Sequence, residues 1–388
     1  MNIDGLRNAT PGTNDVNHFN NAGASLPPHI VTDTMINYLK EEARFGGYET
    51  ASRHRQSIED TYSTIAQFIN AEASEIALLE NATAAWNMAF FSIGFDDGDR
   101  ILTSMAEYAS NFINYLKLRE QVDVQIDVIP NDQYGQTSVS ALREMMGPRV
   151  KLISITHIPT NSGLVNPVEA IGKIATEHNC LYLVDGCQSV GQYPVDVEKI
   201  GCDMLSATGR KYLRGPRGTG FLYINSDALP QLNPPFLDLH AAEWTGQETY
   251  KMRDDARRFE NWEANYAAIL GLKEAVHYAD DLGITNIWKR ITKLAEKLRE
   301  KLSAVPAVTV QDIGQNRCGI VTFTVDGYAA NDIKVTLSEK NINVSTSSQN
   351  STLLDMQQRN LKEVIRASVH YYNTEEELEK MVNVLFPK

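Results

Sequence analysis

The sequence predicts an α/β protein, with a large domain built on a mostly parallel seven-stranded sheet and a small C-terminal α+β domain. Three observations carry this. Between Ser74 and Ile224, short apolar runs alternate with helix-like stretches, the signature of parallel strands covered by helices on both faces. A long helical stretch then runs from Glu263 to Ala304, interrupted near Gly283 and ending near Pro306. Beyond it the pattern changes to a few strands mixed with helices.

The apolar runs are Ile76–Leu79, Arg100–Leu102, Val122–Ile129, Val150–Ile155, Leu181–Val184, Asp203–Ser206 and Gly220–Ile224. Most are too short for helices and are bounded by Gly, Asp, Asn or Pro, so they read as strands. Helices are expected between them, for example over Ser138–Met146 and Val168–His178, the second with Pro167 at its start. The stretch Leu229–Arg257 has little periodicity and reads as a long surface excursion. In the last third, Thr309–Val310, Gly319–Val325 and Asn343–Val344 read as strands, with helices over Ala330–Lys340 and Thr374–Leu385. There is no internal repeat and no low-complexity tract. The division expected is a large domain over residues 19–265, a connecting helix over 266–290, and a small domain made of 1–18 with 291–388.

At 388 residues, 43% hydrophobic and 22% charged, the composition is that of a globular protein with a substantial core. A formal charge of −13 argues against nucleic acid or an anionic membrane as the main partner. No apolar run approaches a membrane span, and Met1–Asn20 lacks a signal-peptide apolar region. The four cysteines, Cys180, Cys187, Cys202 and Cys318, are scattered, and the eight histidines show no HExxH spacing. The expectation is a cytoplasmic, reduced protein without a metal site.

Ligands of open α/β sheets bind beyond the carboxyl ends of the strands. Five predicted strand ends deliver polar groups: Glu80-Asn81-Ala82-Thr83, Glu107-Tyr108, His157 to Asn161, Asp185-Gly186-Cys187-Gln188, and Thr208-Gly209-Arg210-Lys211. Each alone has a plain structural reading. Thr83 can cap a helix, Asp185 and Asn161 can form turns, Lys211 can be solvated, and Tyr108 can be a core aromatic. Their combination is harder to explain that way. A pyridoxal 5′-phosphate (PLP) site needs a lysine for the Schiff base and a carboxylate beside the ring nitrogen. It also needs a hydroxyl, helix N-terminal amides and a cation for the phosphate. An arginine must receive the substrate carboxylate. Lys211, Asp185, Thr83 with Arg210, and Arg366 fill those roles.

Leu183-Val-Asp-Gly-Cys-Gln-Ser189, Ser206-Ala-Thr-Gly-Arg-Lys-Tyr-Leu-Arg-Gly-Pro-Arg-Gly-Thr-Gly220 and Arg366-Ala-Ser-Val-His-Tyr-Tyr-Asn-Thr-Glu-Glu-Glu377 resemble the signatures of class V aminotransferase-fold enzymes. That family has the fold type I architecture and includes cysteine desulfurases, selenocysteine lyases, isopenicillin N epimerase-like proteins and C–S lyases. The likeness runs from Phe19-Asn-Asn-Ala-Gly-Ala24 to the last helix. It implies that Lys211 is the Schiff-base lysine and moves the Cα proton, and that Asp185 pairs with the ring nitrogen. Gln188 and Asn161 would face the phenolic oxygen. Ala82 through its backbone, Thr83, Thr208 and Arg210 would hold the phosphate. Tyr108 stands where many relatives stack a histidine, and Arg366 would bind the carboxylate of an amino-acid substrate. A homodimer with active sites at the interface is implied.

Two departures matter. Desulfurases that attack sulfur carry a cysteine in a loop shortly before the C-terminal arginine, whereas here the loop reads Ser345-Thr-Ser-Ser-Gln-Asn-Ser351. Without a thiolate there is no persulfide carrier. In Arg258-Phe-Glu-Asn-Trp-Glu263, relatives often place a phosphate-binding hydroxyl where Glu263 falls, and a carboxylate cannot play that part. Cys187 and Cys318 read as small core hydrophobes. Arg214 and Arg217 are equally interface, substrate or solvated residues.

The first functional reading is therefore a C–S lyase doing β-elimination on a cysteine conjugate or its sulfoxide, releasing pyruvate, ammonia and a sulfur-bearing fragment. Glu42-Ala-Arg-Phe-Gly-Gly-Tyr48, Glu107-Tyr108 with Asn111, and Arg210-Lys211 resemble ergothioneine-type sulfoxide lyases. An amino-acid epimerase or racemase, with Lys211 and Tyr108 on opposite faces, is the alternative, and a transaminase is third. A nucleotide-binding or structural protein is disfavoured, because Gly215-Pro-Arg-Gly-Thr-Gly220 lacks the GxGxxG order after a first strand.

Overall fold

The computed structural model describes residues 1–386. The chain opens with helix α1 (Ile3–Asn8) and a two-residue strand β1 (Asn17–His18). Three helices follow: α2 (His29–Phe45), α3 (Gly47–Arg53) and α4 (Arg55–Ile69). Gly46 separates the first two at φ +92°, a conformation that a β-carbon disfavours.

The alternating region then builds the main sheet. It runs β2 (Ile76–Leu79), α5 (Ala82–Phe91), β3 (Arg100–Ser104), α6 (Ala109–Arg119), β4 (Gln125–Ile129) and α7 (Val139–Met145). It continues through β5 (Val150–Thr156), α8 (Val168–Glu177), β6 (Leu181–Asp185), α9 (Val197–Ile200), β7 (Met204–Thr208) and β8 (Gly220–Ile224). The seven strands lie in the order β2-β8-β7-β6-β5-β3-β4. Pairing is parallel except where β8 meets β2 and β7. β8 alone therefore runs backwards, and the carboxyl ends of the other six strands share one edge. β2, β6, β7 and β8 are buried at every position, which is why they appear as unbroken apolar runs. Leu102, Ile153 and Val184 pack one face of the sheet with Ile171 and Ile174, while Leu152 and Leu183 pack the other with Trp86 and Phe90. Burying each such side chain stabilises the fold by about 1.5–3 kcal/mol.

Two differences from the sequence reading lie in the connections around the main sheet. Of Val122–Ile129 only Gln125–Ile129 is a strand, because Val122 still closes the end of α6 through its N–H to Leu118 O (3.0 Å). Leu229–Arg257 contains a hairpin, β9 (Ala242–Gly246) with β10 (Thr249–Met252).

Helices α10 (Tyr266–Leu282) and α11 (Ile284–Ser303) meet at Gly283, where φ is +77°. The remaining elements are β11 (Val308–Val310), β12 (Ile320–Val325), α12 (Ala330–Ser338), β13 (Ile342–Asn343), β14 (Ser345–Ser348), α13 (Leu353–Gln358), β15 (Glu363–Ser368) and α14 (Glu375–Leu385). They form an antiparallel sheet in the order β11-β12-β15-β14, packed on α11 and α14 through Ile291, Leu298, Phe323 and Leu378. β1 pairs with β13, so the N-terminal segment lies against this part of the chain.

Candidate active site

The shared strand edge brings six of the predicted residues, Ala82, Thr83, Tyr108, Asp185, Gln188 and Lys211, into the lining of one cleft. Asp185 ends β6, in register with Thr156 of β5 and Ser206 of β7, which fixes its backbone on both sides. Its carboxylate accepts from Cys187 N (2.9 Å) and from Asn111 Nδ2 (3.0 Å). Lys211 follows β7. Burial lowers its pKa, opposed by Cys187 and Asp185, while Arg210 and Arg366 push it further down. The amine is thus brought closer to its neutral, nucleophilic form.

Ala82 and Thr83 lead α5. Asn81 caps that helix by accepting from Ala84 N (2.9 Å), which leaves the two preceding amides for a ligand. Thr208 ends β7 and its hydroxyl donates to Thr219 O (3.3 Å). Arg210 Nη1 donates to the carbonyl of Gly23, and Ser25 N donates to the Arg210 carbonyl (2.9 Å), so the residue also ties down the N-terminal segment.

Gln188 and Asn161 are both buried, and each uses one amide N–H. Gln188 donates to Ala22 O (3.1 Å) and Asn161 to Thr352 Oγ1 (3.1 Å). The amide oxygens, Gln188 Oε1 and Asn161 Oδ1, have no partner. Buried polar atoms are almost always paired, so a polar ligand belongs beside these two acceptors. Together with the lysine, the carboxylate and the helix N-terminus, this set of donors and acceptors fits PLP.

Tyr108 stands at the N-cap of α6 and is 37% exposed, so its ring reaches the mouth of the cleft. Arg366 lies on β15, opposite Thr322 of β12 and Ser345 of β14. Its Nε donates to Ser345 Oγ (3.0 Å), and its Nη1 to the hydroxyl and the carbonyl (3.3 Å) of Thr160. Burial pulls its pKa down, with Tyr212 and Tyr108 opposing. With Nε and Nη1 held, Nη2 is left to point one prong at an anion.

Several residues at the site were given no role by sequence reasoning. Glu107 and Asn111 flank Tyr108 and connect it to Asp185. Their four-residue spacing across a strand-to-helix turn was visible but had no obvious chemistry. Thr156, Thr160 and Ser345 position neighbours through single hydroxyls, for which no sequence pattern exists. Among the described residues, no group of His, Cys, Asp and Glu is arranged to hold a metal ion. No described helix is long and apolar enough to cross a membrane.

Comparison with known proteins agrees with this architecture. The sequence model of the class-V aminotransferases matches residues 16–381. A probable cysteine desulfurase of Methanothermobacter thermautotrophicus is 30% identical over 99% of this chain and 98% of its own length. One from Pyrococcus abyssi is 30% identical over 98% and 96%. The apo structure of a cysteine desulfurase from Thermococcus onnurineus superposes with a TM-score of 0.92 at 27% identity, covering 98% of this chain and 96% of that one. A cystine C–S lyase in complex with cysteine persulfide shares the fold, with a TM-score of 0.88 at 23% identity over 97% and 98%. From its sheet, its cleft and its match over nearly the whole length, the chain belongs to the class-V aminotransferase family of PLP-dependent, fold type I enzymes.

Proposed function

We propose that this enzyme is a C–S lyase that carries out β-elimination on a cysteine conjugate or its sulfoxide without a cysteine nucleophile. The observation that carries the reading is the state of its thiols. Ser345–Ser351 has no cysteine and is folded into β14 and a 3₁₀ turn. Cys187 is the cysteine that lines the cleft, and burial pushes its thiol up to about 12. Burial also raises Cys180 and Cys318 to about 12, and Cys202 still further. None is a thiolate near neutral pH, and the thiolate is the nucleophile that sulfur transfer requires.

When bound, PLP supplies an electron sink conjugated to the substrate Cα. The chain's own residues do the rest. Asp185 holds the ring nitrogen's proton, and Gln188 and Asn161 offer their remaining amide N–H groups to the phenolic oxygen. Ala82, Thr83, Thr208 and Arg210 would receive the phosphate. Arg366 orients the substrate carboxylate, and Lys211, with its proton affinity lowered, takes the proton from Cα. Tyr108 at the cleft mouth donates a proton to the departing sulfur. Arg210 anchors Gly23 at the edge of the site.

Residues 19–265 are proposed as the cofactor-bearing unit and 266–290 as the connection, with 1–18 joining 291–388, supported by the β1–β13 pairing. A homodimer is also proposed, with the exposed Tyr48, Trp244, Tyr250 and Trp262 available to its interface. The test is to incubate the purified holoenzyme with cysteine, S-alkyl cysteines and their sulfoxides. Elimination yields pyruvate and the sulfur fragment one for one. Removal of sulfur by a thiolate would instead leave alanine, and racemised substrate without pyruvate would point to the isomerase alternative.

A further inference from the structure

Behind the cleft lies a buried carboxylate that none of these steps uses. Glu107 is 3% exposed, and five hydrogen bonds converge on it. β3 contributes Thr103 Oγ1 (3.1 Å) and Ser104 Oγ (3.4 Å). β5 contributes Thr156 N (3.1 Å) and Thr156 Oγ1 (2.7 Å). α6 contributes Asn111 Nδ2 (2.8 Å). Two of these donors lead onward into the site. The same Asn111 nitrogen donates to Asp185 Oδ2 (3.0 Å), so one amide bridges two carboxylates. The Thr156 hydroxyl that donates to Glu107 accepts from Tyr108 N (3.4 Å).

We propose that Glu107 is a positioning residue that fixes Asp185 through Asn111 and the Tyr108 backbone through Thr156, coupling the ring-nitrogen partner to the stacked phenol. The proposal rests on the PLP reading of Asp185 and Tyr108. When ionised, Glu107 offers acceptors alone, which matches the two N–H and three hydroxyl groups turned towards it. A glutamine could accept at one atom only and would turn an N–H against the others.

The electrostatics add a pH signature. Burial raises the Glu107 pKa to about 7; Asn111 and Thr156 pull against it, Asp185 pushes it higher, and Thr103 opposes. The titratable groups facing it are Asp185 from β6 and Tyr115 from α6, whose hydroxyl is turned to Ser154 (2.7 Å). As pH rises through about 7, Glu107 gains a negative charge beside Asp185 and strengthens its hold on the ring proton.

The experiment is a pH titration of the bound-cofactor absorbance in wild-type, Glu107→Gln, Glu107→Asp and Asn111→Ala holoenzymes, with PLP affinity measured on each apoprotein. The expected result is that Glu107→Gln binds PLP but loses the inflection near neutral pH. Its kcat should fall about 10- to 100-fold, as for other outer-shell partners, with little change in KM. Glu107→Asp should restore part of the inflection. If Glu107→Gln does not fold, Asn111→Ala must still move the inflection, since it removes the amide that bridges Glu107 to Asp185 and leaves the Thr156 contacts in place. A wild-type titration curve and kcat in Glu107→Gln, or in Asn111→Ala if only that variant folds, would overturn the proposal. Asp185→Asn serves as the control. An unchanged spectrum there would sink the PLP assignment of Asp185 itself, whatever Glu107 does.

Discussion

At the scale of single residues, the division of labour between Lys211 and Tyr108 is the part of the mechanism most open to test. Lys211 sits in the cleft with its proton affinity lowered by burial, whereas Tyr108 stands at the mouth, where a leaving group must pass. Tyr108→Phe should keep PLP and Cα proton exchange with solvent deuterium while slowing fragment release. General acid assistance of this kind is typically worth about 10²–10⁴ in rate, and the loss should be largest for poor leaving groups. A near-silent Tyr108→Phe would mean that the ring only stacks. The residues proposed to carry the cofactor could be picked out because the strand–turn pattern placed Asp185, Thr208 and Lys211 at strand ends and the family motifs suggested their roles. The contact of Arg210 with the Gly23 carbonyl, 187 residues away in the chain, is one that no local pattern reports. The Glu107–Asn111 spacing was visible, but its bridge to Asp185, 74 residues further on, was not.

At the scale of elements, the buried strands of the main sheet were readable, whereas the exposed hairpin and the strands β14 and β15 of the C-terminal sheet were not. β5, β6 and β7 each run one or two residues further than their apolar runs suggest, because their last residues, Thr156, Asp185 and Thr208, are polar and still pair or lie in the strand. Those final polar residues are the ones the site uses. The hairpin β9–β10 is exposed along most of its length, so no burial alternates along it to leave a pattern. β14 is a run of Ser and Thr recognisable only through its pairing with β15. Helix positions are more tightly set than their sequences show. A β-carbon at Gly172 of α8 would come within 1.7 Å of the Ile200 carbonyl of α9. Gly172→Ala should therefore force α8 away from the end of α9 and cost about 1–3 kcal/mol or more, read as a lower denaturation midpoint. An unchanged midpoint would show that α8 and α9 are free to separate.

At the scale of the whole molecule, the site closes only because two regions of the fold meet over it. Arg366 from the C-terminal sheet bonds Thr160 in the loop after β5, and Thr352, just before α13, receives Asn161 from that same loop. The residues proposed to meet the substrate's carboxylate and the cofactor's phenolic oxygen are thus held by hydrogen bonds that cross between the regions. The same C-terminal region supplies the serine- and threonine-rich segment where desulfurases carry their nucleophile. The account consequently turns on whether any thiol takes part. The direct measurement is to replace Cys180, Cys187, Cys202 and Cys318 together by Ala or Ser, verify folding and PLP binding, and assay a cysteine conjugate for pyruvate and alanine. The account predicts pyruvate release within a few-fold of the wild-type rate and no alanine. Loss of elimination in a folded, PLP-loaded variant, or alanine as the product of the wild-type enzyme, would contradict it and make sulfur attack by a cysteine the mechanism.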